Sequence, residues 1–135
     1  MVSIQLAYEG DLHCRAVHEP SGTVLATDAP KDNQGRGESF SPTDLVATGL
    51  GACILTILGI FARNHGLDLT GTTATVQKEM ASAPVRRISR LAVTIHVPTQ
   101  VSAEDRLKLE RAAHTCPVHQ SLHPEIEKPI AFIWS

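Results

Sequence analysis

One run dominates the hydrophobic pattern of this chain: Ser41 to His65, SPTDLVATGLGACILTILGIFARNH. It predicts a helix with both ends marked. Ser41 is a good N-cap, and Pro42 suits the first helical position, where its missing N–H costs nothing. Asp44 places a negative charge in the first turn, and Arg63, Asn64, His65 and Gly66 close the run as a helix C-terminus closes. No residue from Leu45 to Ala62 is charged. A helix that is apolar on every face needs every face covered, so the rest of the chain, and then a second copy of it, are expected to wrap this one.

Shorter periods surround it. Ile4–Tyr8 and Leu12–Val17 read as strands turned by Glu9-Gly10-Asp11, and Pro20-Ser21-Gly22 leads into a third strand, Thr23–Thr27. Ala29–Phe40 is polar and carries a proline and two glycines, a loop long enough to suggest a functional role. From Thr72 to Met80 the chain alternates, with Ala74, Val76 and Met80 on one face, interrupted by Lys78. Leu91, Val93, Ile95 and Val97 alternate with Ala92, Thr94 and His96. The stretch ahead of them, with Arg86, Arg87 and Arg90, loses that phase and predicts a bulge or an exposed extension. Ser102 caps a helix opened by Glu104 and Asp105, and Glu104 and Lys108 form a favourable pair. Leu109, Ala112, Ala113 and Cys116 share its buried face. Pro117 disfavours helical geometry at Cys116, so the helix breaks there and a short one runs from Pro117 to Leu122. Ile130–Trp134 is the last strand. The order describes a single α+β domain over residues 1–135, mostly antiparallel, around a long buried central helix.

Composition narrows the partners. The net charge of −2 comes without a basic block, which argues against nucleic acid. The N-terminus shows no basic-then-apolar leader, so a cytoplasmic protein is expected. Leu45–Ala62 approaches the ~20 apolar residues of a membrane span. Its threonines, its three glycines and the lack of basic or aromatic flanks favour a buried helix, and no membrane partner is expected.

Three cysteines without a secretory signal do not suggest a disulfide framework. Cys53 lies mid-helix and Cys116 on the inward face of another helix. They are either inert core thiols or a pair that can meet. If Cys116 caps the Pro117 helix, its sulfur faces free backbone N–H groups, which lowers a thiol's pKa; Cys116 is therefore expected to be the more acidic of the two. Cys14 reads as a structural or surface thiol in a strand. His114, His119 and His123 stand near Cys116, but H-x-C-x2-H-x3-H matches no familiar metal site, and neither metal nor cofactor is expected. Arg36 and Glu38, in the loop before the central helix, are either solvated or supports for a thiolate, with Arg15 a competing cation.

SPTDLVATGLGAC, with the CPVHQSL segment at Cys116, resembles the paired cysteine motifs of the OsmC/Ohr family of hydroperoxide-reducing proteins, over nearly the whole chain. The resemblance implies an OsmC-like fold, an intertwined homodimer with active sites at its interface. It implies a thiol peroxidase in which Cys53 is oxidised by an organic hydroperoxide to a sulfenic acid, Cys116 resolves it as a disulfide, and an external dithiol, dihydrolipoyl in studied members, reduces the bond. Phe40, Leu50, Ile57 and Phe61 would line a pocket for the substrate. Studied members carry a Glu after the motif proline, where this chain has Thr43 followed by Asp44. Their N-terminal Arg has no clear counterpart, with Arg15, His18 and Arg36 as candidates. That departure motivates a second reading, a non-enzymatic small apolar ligand-binding protein on the same scaffold.

Overall fold

A computed structural model describes residues 1–135. The chain divides into two compact units, Met1–Val46 and Ala47–Ser135, joining antiparallel and mixed sheets with helices in an α+β fold.

In the first unit, β1 (Ile4–Tyr8), β2 (His13–His18) and β3 (Val24–Asp28) form an antiparallel meander. The tight β1–β2 turn needs left-handed backbone at Gly10, Asp11 and Leu12. Directly paired residues share a sheet face. Ile4, Leu6 and Tyr8 pair with His18, Ala16 and Cys14, and Ala16 pairs with Leu25. Along that face Ile4, Leu6, Tyr8 and Leu25 are exposed at 56, 67, 67 and 44%. On the other face buried Asp28 meets His13 Nδ1 at 2.6 Å. The loop after β3 is less irregular than its composition suggests. It holds a short 3-10 turn, Lys31–Asn33, and returns through Gly37 N–H donating to the Ala29 carbonyl at 3.2 Å. A Cβ at Gly35 would overlap that same carbonyl.

The long helix α1 (Pro42–Asn64) starts as its sequence directs. Ser41 Oγ accepts from Asp44 N–H at 3.0 Å, and the Asp44 carboxylate accepts from Ser41 N–H at 2.9 Å, a reciprocal cap. It ends on Gly66 in the left-handed region, with Leu67 N–H donating to the Ala62 carbonyl. Within one chain its coverage is one-sided. One stripe is buried (Ala47, Leu50, Gly51, Ile54, Leu58, Ala62), while Ile60 is 50% exposed. A single chain thus covers one side of this helix. It is the one helix long and apolar enough to cross a membrane.

In the second unit β4 (Thr73–Ala81) runs antiparallel to β5 (Arg87–Val97). Glu79 faces Arg90 while Met80 faces Ile88, which leaves Ser89 as the expected bulge. Leu91, Val93, Ile95 and Val97 are buried. β6 (Ile130–Trp134) lies on the other side of β5 and pairs with it in parallel, so this sheet is mixed. Parallel pairing requires a crossover, supplied here by α2 (Ala103–Ala113) and α3 (Pro117–Ser121). Ser102 caps α2, and Glu104 meets Lys108 at 3.1 Å. The indole N–H of Trp134 donates to Glu110 at 3.2 Å and Arg106 lies over the ring, which ties α2 to β6.

Candidate active site

The α2–α3 junction is where the crossover turns, and Cys116 occupies it. Pro117 at the first position of α3 forces Cys116 out of helical geometry, to φ −62 and ψ 140. The carbonyls left open by the end of α2 are met locally. Thr115 Oγ1 donates to the Ala112 carbonyl at 2.7 Å, and the Gln120 carboxamide donates to the His114 carbonyl at 2.7 Å. The turn is therefore braced on both sides of the cysteine. Leu109, Ala113 and Cys116 are each fully buried, so the face expected from the helical spacing points inward.

Cys116 caps α3 as expected, its sulfur accepting the His119 N–H at 3.2 Å. The expected acidity does not follow. Burial pushes the Cys116 thiol above its ordinary value, and this outweighs the pull of the His119 N–H. The Cys53 side chain, within hydrogen-bonding reach, pushes it further the same way. The two thiols, distant in sequence, thus meet in the second unit as free cysteines, Cys53 half-buried and Cys116 buried.

The remaining candidates are placed as follows. Arg36 and Glu38 are exposed in the loop of the first unit. Cys14 is half-buried in β2, beside exposed Arg15. Asp44, one residue beyond the Thr43 that follows the motif proline, is part of the helix cap. Leu50 is withdrawn into the core and Phe61 stacks on His65 with ring centres 3.9 Å apart. Leu50 therefore offers no surface to a pocket, while Ile57 and Phe61 are half-buried and Phe40 is 51% exposed. The His114 and His119 rings meet edge to face, and no three His, Cys, Asp or Glu side chains converge on a metal position. His119 is held below the usual histidine value by burial, then by the nearby charges of His114 and Lys128. The influence of Lys128 was not visible in the sequence, because β6 and the segment before it return to α3 only in the fold.

Two facing cysteines, one half-buried on a long central helix and one capping a crossover helix, define a protein with a paired-thiol centre on an α+β scaffold. The pattern described as OsmC-like protein matches residues 35–128, and the chain belongs to that family. Its structure superimposes with a TM-score of 0.94 on a Psychrobacter arcticus protein provisionally named for osmotic stress induction and detoxification response. That protein is 44% identical, with 98% of this chain and 96% of that one covered. The fold is shared with an organic hydroperoxide resistance protein from Legionella pneumophila (18% identity, 98% and 96% covered, TM-score 0.78). It is also shared with one from Elizabethkingia anophelis (17% identity, 100% and 96% covered, TM-score 0.81). No curated protein sequence matches the chain.

Proposed function

We propose that this protein is a thiol peroxidase that reduces organic hydroperoxides, with Cys53 as the attacking sulfur and Cys116 as the resolving one. The observation that carries the reading is the approach of the half-buried Cys53 to the fully buried Cys116. Only the more open sulfur can meet a peroxide first. A Cys53 thiolate attacks the terminal peroxide oxygen, the O–O bond breaks, and the alkoxide leaves as an alcohol after taking a proton. Cys53 is then a sulfenic acid. Cys116, held neutral by burial, gives up its proton as it attacks that sulfur, and water leaves as the disulfide forms. An external dithiol, dihydrolipoyl in type, reduces the bond by exchange and becomes a disulfide itself. Arg36 and Glu38 remain the candidates to support the thiolate.

The active form is read as a homodimer working in the reducing cytoplasm. Two features support the dimer. α1 is apolar all round yet covered on one stripe, and the β1–β3 sheet exposes Ile4, Leu6, Tyr8 and Leu25 on one face. A second copy is the partner whose chemistry fits both.

The test is a thiol count after treatment with cumene hydroperoxide. Two thiols per chain should be lost in the native protein. Cys53→Ser should lose none, and Cys116→Ser should stop at a sulfenic acid that dimedone traps. An unchanged thiol count in the native protein would reject the enzyme.

A further inference from the structure

Gln120 holds the turn between α2 and α3 from both ends. Its backbone N–H donates to the Cys116 carbonyl at 3.1 Å, the first helical bond of α3. Its side chain reaches back along the chain, and the carboxamide donates to the His114 carbonyl at 2.7 Å. His114 is the C-cap of α2, so this second bond ties the short helix of the crossover to the end of the long one. The carbonyls of His114 and Cys116, which flank Thr115, are thus both held by one residue.

The turn has a physical need for such a clamp. α3 has five residues, too few to persist as a helix by themselves. The Cys116 sulfur accepts the His119 N–H of this short helix at 3.2 Å and lies within hydrogen-bonding reach of Cys53. Its direction therefore depends on how firmly α3 sits against α2. Two neighbouring bonds close locally and cannot fix that relation. Ser121 Oγ donates to the Pro117 carbonyl at 2.7 Å, within α3, and Thr115 Oγ1 donates to Ala112, on the α2 side. The His114 and His119 rings add an edge contact across the turn. Gln120 itself is exposed, so trimming its side chain leaves the packing of buried Leu109 and Ala113 untouched.

From this geometry we infer that Gln120 is a positioning residue for the thiol pair, holding the Cys116 sulfur within reach of Cys53 before the two join. The role belongs to the resolving half of the reaction proposed above, and it rests on that reading of the pair. Gln120 acts through Cys116. In the reduced chain the clamp limits how far the turn can move away from α1, which favours closure. In the oxidised chain the S–S bond imposes that limit by itself. Loss of the clamp therefore frees the reduced form more than the oxidised one, and the disulfide becomes easier to reduce. A residue that only stabilised the fold would leave that balance unchanged.

The test is the reduction potential of the pair in the full chain, carrying Cys14→Ser so that only Cys53 and Cys116 exchange. In a buffer of reduced and oxidised dithiothreitol, the two protein thiols lose two protons and two electrons as their disulfide forms. The dithiothreitol disulfide takes up both and opens to its dithiol. One hydrogen bond is worth about fivefold in an equilibrium. Gln120→Ala should therefore raise the potential by about 20 mV, which is that factor for a two-electron couple. Gln120→Glu keeps the length but cannot donate when ionised, and should raise it as far. With cumene hydroperoxide, both variants should form the Cys53 sulfenic acid at the native rate and close the disulfide about fivefold more slowly. A native potential in either variant would overturn the inference, and so would a native chain that forms no disulfide in the buffer. A disulfide that forms with dithiothreitol but not with peroxide, with the shift intact, would reject the peroxidase and support the clamp.

Discussion

A methyl group added at Gly51 tests how α1 is seated. A Cβ at this position would lie 2.9 Å from Val76 Cγ2 and 3.9 Å from Ala74 Cβ, both on β4. Replacing glycine by alanine inside a helix gains about 1 kcal/mol from backbone entropy. Forcing a methyl into a packed contact costs about 1–3 kcal/mol, and Val76 is β-branched, with little freedom to turn aside. Gly51→Ala should therefore be destabilising by up to about 2 kcal/mol. Gly59→Ala, on the same helix with nothing within 4 Å of the new Cβ, isolates the propensity gain and should stabilise by about 1 kcal/mol. The comparison is made by urea unfolding at one protein concentration, because association shifts the midpoint. Combining Gly51→Ala with Val76→Ala should recover part of the loss, as a coupling of about 0.5–3 kcal/mol between touching residues. Gly51 lies two residues before Cys53, so a displaced helix should also slow disulfide formation with Cys116. If Gly51→Ala stabilises as much as Gly59→Ala, the close contact between α1 and β4 is refuted.

The remaining predictions concern titration and capping. Cys116 has a raised pKa in the folded chain. Below the ordinary thiol value it is protonated whether folded or not. Above that value the unfolded chain releases the proton first, so stability should fall as pH rises, and Cys116→Ala should flatten that alkaline slope in thermal melts. His119 is lowered, so the sign reverses. Its neutral form is undisturbed above about pH 6.5 and stability is lost as pH falls below it; His119→Gln should reduce the loss, read from melting between about pH 5 and 7. Ser41→Ala removes the Asp44 N–H partner at the start of α1 and should cost about 1–2 kcal/mol in chemical unfolding.

Local pattern carried most of the elements, because their signals are local. Pro42 and Gly66 bracket α1, Ser102 caps α2, and Pro117 breaks the chain at Cys116, all as the sequence directs. Alternation placed the buried side of β5, and its loss of phase marked the bulge at Ser89. What could not be read was decided by contacts distant in sequence. β6 has no feature that says which neighbour it joins or in which direction; the crossover through α2 and α3 decides that. The acidity of Cys116 was misjudged for a related reason. A helix start is visible in sequence, whereas the burial that opposes it, and the approach of Cys53, arise only in the fold.

The position of Cys116 at the hinge of the crossover has a mechanical side. A bond from it to Cys53 would staple the return path between β5 and β6 onto the central helix, enclosing roughly 60 residues in a covalent ring. Closure of a ring that size is worth about 4 kcal/mol in the chain-entropy treatment. The oxidised chain should then melt well above the reduced one, and its melting temperature would report how many molecules have turned over and await their reductant.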